Sequence, residues 1–215
     1  MSERSYEALV VDFGGVLTTP LQDSFVMFAE SLGIELQDLV RVALKAYTGD
    51  DDPLVVGFET GTIPENEFAI GFAQRLAQET GVEVDPERLI GGMFGGMRLE
   101  EGMFDAVAAA KKAGFKTGLL SNSWGMSGYP RERLAEVMDV VVISAEVGMR
   151  KPDPEIFRLT TDKLGVAPEA CVFVDDHPGH LKAAQETGMT TVLHREPAQS
   201  IAELEALLGV PLSGN

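Results

Sequence analysis

The second half of the chain alternates short apolar runs with helical stretches, and that alternation leaves few folds open. After Gly102 a helix over 103–113 stops at Gly114 and leads into TGLLS, 117–121. A helix over 131–138 precedes VVVIS, 140–144, and Asp153-Pro154 opens another that reaches Leu164. CVFVDD (171–176), a helix over about 179–187 and TTVL (190–193) follow. Ser200 and Glu203 have the spacing to cap a final amphipathic helix. Strands alternating with helices predict βαβ units and therefore a parallel sheet. Near the start, the apolar run Ala8–Val11 meets Asp12 and is broken by Gly14 and Gly15, the pattern of one more buried strand.

Residues 18–98, in between, read as helical. Leu21, Phe25, Phe28, Ala29 and Leu32 recur at helical spacing before Gly33, and a second helix covers 36–47. Asp50, Asp51 and Asp52 read as a solvated loop. A third helix is expected from Thr62, which has capping-box spacing to Glu65. Asp85-Pro86 opens a fourth, which runs into GGMFGGMR, 91–98. Four glycines in six residues predict a hinge or a loop beside a ligand there. The chain is thus an α/β protein: a Rossmann-like parallel core over 1–17 and 99–215, with a small all-helical insertion over 18–98.

A net charge of −17 over 215 residues argues against nucleic acid or an anionic membrane as a partner. Cys171 is the one cysteine, which excludes an internal disulfide and suits a reducing compartment. The start, MSERSYE, is polar and the apolar run after it is too short for a signal peptide or a span, so a cytoplasmic protein is expected.

Ligands of open parallel sheets bind beyond the carboxyl ends of the strands. Asp12 falls at one such end; on that stretch alone, a ligand-facing carboxylate and a turn-starting Asp are equally good readings. Ser121-Asn122 and Asp175-Asp176 end two others. Lys151 stands just before a helix start, fixed by Pro152 and the Asp153 cap. Together they gather a nucleophile, a hydroxyl donor, a cation and an acidic pair at one sheet edge.

DFGGV (12–16), LLSNS (119–123), Lys151 in RKPDP and FVDD (173–176) occur in the order of the four motifs of the haloacid dehalogenase-like hydrolase superfamily, which the chain resembles over nearly its whole length. DFGGVL, LSNSW and FVDD look closest to the subgroup with the epoxide-hydrolase N-terminal phosphatase domain and glucose-1-phosphatase-like enzymes. The insertion then looks like that superfamily's smaller helical cap. The resemblance implies a Mg²⁺-dependent phosphomonoester phosphatase acting on a small phosphorylated metabolite, with Asp12 as nucleophile. It implies Mg²⁺ held by Asp12, the Gly14 carbonyl and Asp176, with Asp175 in the outer shell. Ser121 and the Asn122 amide would donate to the phosphoryl group. Lys151 would neutralise developing charge and hold Asp12 ionised.

One position departs from the pattern. Most phosphatases of the superfamily carry a second Asp two residues after the nucleophile; here that residue is Gly14, which moves no proton, so slow turnover is expected. A metal-free 2-haloacid dehalogenase is an alternative, as is a phosphometabolite-binding protein that has lost turnover. His177 and His180 flank the acidic pair and read as loop hydrogen-bonders, with a transition-metal site as the other option. Met97, Arg98 and Trp124 are candidates for the substrate side, Trp124 equally for packing of cap on core.

Overall fold

A computed structural model describes residues 5–48, 52–125 and 128–212, without the side chains of 43–48. Five parallel strands form one sheet: β1 (Ala8–Val11), β2 (Lys116–Ser121), β3 (Val140–Ile143), β4 (Cys171–Asp175) and β5 (Thr190–Leu193), in the order β3-β2-β1-β4-β5. The period of two along β1 shows how the sheet is buried on both sides. Leu9 and Val11 join Leu119, Val172 and Val174 beneath α6 (Glu101–Lys112) and α11 (Pro197–Leu208). Ala8 and Val10 join Leu120 and Phe173 against α9 (Pro154–Leu164) and α10 (Pro178–Glu186). The chain winds outward from β1 to β3, then returns to β4 on the other side of β1, so the order reverses between β1 and β4. Ligand crevices open at such reversals, and Asp12 and Asp175 stand at this one.

Among the described residues, five helices lie between β1 and α6: α1 (Leu21–Leu32), α2 (Leu36–Thr48), α3 (Pro53–Glu59), α4 (Glu65–Thr80) and α5 (Pro86–Phe94). They bury an apolar cluster of their own, in which Phe68 stacks on Phe58 with centroids 4.0 Å apart. The two connecting segments run side by side: Thr18 and Leu99 form an antiparallel bridge, and the Glu100 N–H donates to the Leu17 carbonyl at 2.9 Å. Between β2 and α9 lie α7 (Arg131–Val137) and the short α8 (Ser144–Val147), so Ser144 starts a helix and does not end a strand.

Several expectations need correction. Thr62 does not cap the third helix: α4 begins at Glu65 after Pro64, and the Thr62 hydroxyl donates instead to the Gly57 carbonyl. Asp52 does not lie in a loop but caps α3, an unexpected helix, accepting from the Leu54 N–H at 2.9 Å and from Arg75 at 2.6 Å; Asp50 and Asp51 lie outside the described residues. The glycine-rich stretch is no loop at its start, since α5 continues through Gly91 and Gly92. A Cβ on Gly92 would overlap the Phe28 ring and one on Gly96 would come within 2.9 Å of Ser24 Oγ, so Gly92 lets α5, and Gly96 the segment after it, approach α1 closely. The last helix starts at Pro197, and Ser200 is buried within it, 2.8 Å from His194 Nδ1. Among the described residues no helix is long and apolar enough to cross a membrane.

Candidate active site

Asp12 leaves β1 with its N–H still bonded to the Val174 carbonyl at 2.9 Å. The chain then turns sharply. The Phe13 carbonyl accepts from Leu17 and Thr18, and Gly15, at φ 71°, takes the left-handed conformation that such a turn demands. A Cβ on Gly15 would overlap Asp176 Oδ2, so the Asp176 carboxylate lies directly against this loop.

Lys151 bridges the two central strands. Its buried ammonium is 2.9 Å from Asp12 Oδ1 and 2.6 Å from Asp175 Oδ2. The Asn122 side chain fixes the Lys151 backbone from both sides, donating from Nδ2 to its carbonyl at 3.0 Å and accepting from its N–H at 2.8 Å. Asn122 therefore positions the lysine with its side chain, a role that its place at the end of β2 did not disclose. The Ser121 hydroxyl is buried and lies 2.9 Å from the Tyr129 hydroxyl. Tyr129 escapes sequence reading because it stands in a short segment with no periodicity.

The charges do not balance. Burial works against the Lys151 ammonium, but Asp12 and Asp175 outweigh it and hold the group charged above its usual range. Burial likewise opposes ionisation of Asp175, and Lys151 with His180 overcomes it, keeping that carboxyl well below the usual range. Asp12 ends the other way: burial pushes it up to about 7, Lys151 pulls it down, and the Asp175 and Asp176 charges add to the rise. Lys151 thus acts in the expected direction but does not by itself hold Asp12 ionised. Asp176 is exposed, yet desolvation by the surrounding protein, and then the Asp175 charge, push it up too.

Three carboxylates around one ammonium, two of them pushed up, form a donor set suited to a hard divalent cation. The residues that would hold Mg²⁺ are those the resemblance implies, Asp12, the Gly14 carbonyl and Asp176, the last lying against the Gly15 turn. Asp175 fits an outer position, because its oxygens already take Lys151, the His177 N–H at 2.7 Å and His180 Nδ1 at 3.1 Å. Burial and then Lys151 push His180 down to about 4, so the ring is neutral at pH 7 and its Nδ1–H donates to Asp175. Atoms of Asp12, Asp175 and His180 approach one another within 4.8 Å, but the Lys151 ammonium is already bonded to both carboxylates. His177 caps α10, accepting the Gly179 N–H on Nδ1 at 3.2 Å.

The remaining candidates stand apart. Trp124 packs on Phe94 of α5 at 5.2 Å between centroids, joining the helical insertion to the sheet edge. Met97 lies beside Thr18, with its Sδ 4.0 Å from Oγ1, and Arg98 is exposed, its N–H bonded to Thr19 Oγ1.

Known proteins share this chain's sequence and fold. Bifunctional epoxide hydrolase 2 of Sus scrofa is 30% identical over 220 residues, 95% of this chain. The chain spans well under half of such relatives, 39% of the pig protein and 21% of its Rattus norvegicus counterpart over the matched region. Flavin mononucleotide hydrolase 1 of Arabidopsis thaliana is 31% identical over 75% of this chain and 64% of its own length. A HAD family enzyme of Bacteroides thetaiotaomicron, solved with magnesium and inorganic phosphate, shares the fold at a TM-score of 0.64 and 22% identity, over 88% of this chain and 94% of that one. The family model for haloacid dehalogenase-like hydrolases matches residues 6–188, a stretch that holds every strand end described above except that of β5, and the chain belongs to that family of hydrolases.

Proposed function

We propose that the chain is a Mg²⁺-dependent phosphatase of small phosphomonoesters working through an aspartyl phosphate on Asp12. The observation that carries this reading is the cluster itself: a buried carboxylate at the sheet's reversal point, with Lys151 on one oxygen and Asp176 closed over the adjoining glycine loop. The Phe13 N–H, at 2.7 Å, and Lys151 hold Asp12 Oδ1, which leaves Oδ2 as the attacking atom. A bond forms from Oδ2 to phosphorus as the bond to the leaving oxygen breaks. Ser121 and the Asn122 N–H donate to the phosphoryl oxygens, and Lys151 offsets charge as it develops. When bound, Mg²⁺ supplies further positive charge for the phosphoryl group and favours the ionised form of Asp12. Water then cleaves the acyl phosphate, a step for which Gly14 offers no base.

Helices α1 to α5, within residues 18–98, serve as the cap, and residues 1–17 and 99–215 as the core. The test is phosphate release from a panel of phosphorylated metabolites, with flavin mononucleotide included on the strength of the Arabidopsis relative's name. Release should require Mg²⁺, vanish in EDTA and in Asp12→Asn, and need far more Mg²⁺ in Asp176→Ala. Full activity in EDTA would remove the metal from this account, and halide release from 2-haloacids without Mg²⁺ would replace it.

A further inference from the structure

The Tyr129 hydroxyl has no place in the chemistry described so far, yet it touches the site directly. It lies 2.9 Å from Ser121 Oγ and donates to the Asn122 carbonyl at 3.4 Å, while Ser121 Oγ lies 3.2 Å from that same carbonyl. Three polar groups thus form a closed triangle on the buried side of Ser121. The ring is held firmly: it packs against Phe13, the residue after the nucleophile, at 4.8 Å between centroids, and Tyr129 is only 8% exposed. Burial first, and the Asp12 charge after it, keep the phenol protonated throughout the ordinary pH range.

Counting protons shows what the triangle can do. The two hydroxyls hold one proton each, and inside the triangle both are engaged by the Asn122 carbonyl and the neighbouring hydroxyl oxygen. An anionic phosphoryl oxygen brings lone pairs and no proton, so Ser121 must turn its own proton outward to bind it. Its Oγ then becomes an acceptor within the protein, and the Tyr129 O–H is the donor beside it. A donor on Oγ also polarises the Ser121 O–H and strengthens its bond to the anion. Without the phenol, the Asn122 carbonyl competes for the serine proton unopposed. Tyr129 is not a substitute for a carboxylate at position 14, because its ring belongs to the apolar cluster on one face of the sheet, with Val16, Met103 and Leu134.

We propose that Tyr129 is a positioning residue that donates to Ser121 Oγ and directs the Ser121 proton towards the substrate phosphoryl group. The proposal rests on the phosphatase reading above. Tyr129→Phe removes one oxygen and keeps the ring against Phe13, so the variant isolates the hydrogen bond.

The experiment is a double-mutant cycle on the full chain with Mg²⁺: wild type, Tyr129→Phe, Ser121→Ala and both together. Binding of inorganic phosphate by calorimetry and kcat/KM for an active phosphomonoester are the readouts. Tyr129→Phe should weaken both by about 3- to 10-fold, the worth of one hydrogen bond. In the Ser121→Ala background the same change should alter neither. A loss of equal size in both backgrounds would overturn the proposal and assign the phenol to packing alone; no loss in the wild-type background would overturn it as well. A wild type that binds no phosphate and releases none sinks the phosphatase reading and this proposal with it. Phosphate binding by a wild type with additive variants sinks this proposal alone.

Discussion

The Glu59 carboxylate takes the Arg150 guanidinium at 2.7 Å, across 91 positions of sequence, and the Glu59 backbone carbonyl takes the Ser144 hydroxyl. Arg150 precedes Lys151, and Ser144 Oγ accepts the Ser123 N–H at 2.7 Å, two residues past Ser121. The last residue of α3 therefore grips both segments that border the site. Glu59 is buried, and desolvation pushes its carboxyl up in spite of Arg150. Glu59→Ala should cost about 2 kcal/mol in urea unfolding, because it removes a charge-assisted hydrogen bond made by a buried carboxylate. It should also lower kcat more than it changes KM. Glu155 pairs with Arg158 at 2.6 Å but in solvent, so Glu155→Ala should cost under about 1 kcal/mol. Equal costs would mean that burial of the Glu59 pair carries no energetic weight.

The carboxylate surplus predicts a trade of stability for function at Asp12. Its folded pKa is about 7 against an ordinary 3.8, so the folded state holds this proton more tightly than the unfolded chain does. The resulting stabilisation is complete below the ordinary value and is lost as pH rises through about 7. Asp12→Asn has no such loss. Without divalent ions the variant should exceed the wild type by at least about 1 kcal/mol at pH 8, and the gap should narrow at pH 5. Urea unfolding at the two pH values measures it. A wild type as stable as the variant at pH 8 would contradict the surplus.

Glycines that look alike in sequence differ in space. Gly91 is exposed in α5 and a Cβ there meets nothing within 4 Å, so Gly91→Ala should stabilise by up to about 1 kcal/mol through helix propensity. A Cβ on Gly92 would enter the Phe28 ring, so Gly92→Ala should destabilise by about 1–3 kcal/mol. Thermal unfolding of the two variants decides it. A shift of the same sign in both would mean that α1 and α5 do not pack as described.

What the sequence made legible follows physical range. The sheet was readable because each strand is an apolar run between helices, and the strand-end residues Asp12, Ser121 and Asp175 follow from it directly. Local signatures were reliable when the side chain bonds its own helix: Asp85 and Asp153, each ahead of Pro, cap as expected. Asp52-Pro53 carries the same signature and opens α3, so that helix was within reach of the same rule. The glycine stretch failed for another reason. Glycine reads as freedom along the chain, whereas at Gly92 it is space for Phe28, 64 positions away. Tyr129, Glu59 and the clamp of Asn122 on Lys151 depend on such distant approaches, and no local pattern announces them.

Gly14 carries the strongest kinetic consequence. Its backbone lies outside the left-handed region, and a Cβ there meets nothing within 4 Å, so its emptiness is not imposed by the fold. Under the proposed mechanism, formation of the aspartyl phosphate and its hydrolysis both lack the proton carrier usual two residues after the nucleophile. With p-nitrophenyl phosphate the leaving group needs little protonation, so hydrolysis, which needs an activated water, becomes the slow step. Rapid-quench measurements should then show a p-nitrophenolate burst of about one equivalent per enzyme, absent in Asp12→Asn. Gly14→Asp places a carboxylate where the space exists; it should shrink the burst and raise steady turnover by about 10-fold or more, within the usual worth of general acid–base help. Linear release from the wild type, together with no gain in Gly14→Asp, would show that another group already activates the water and that Gly14 is no handicap.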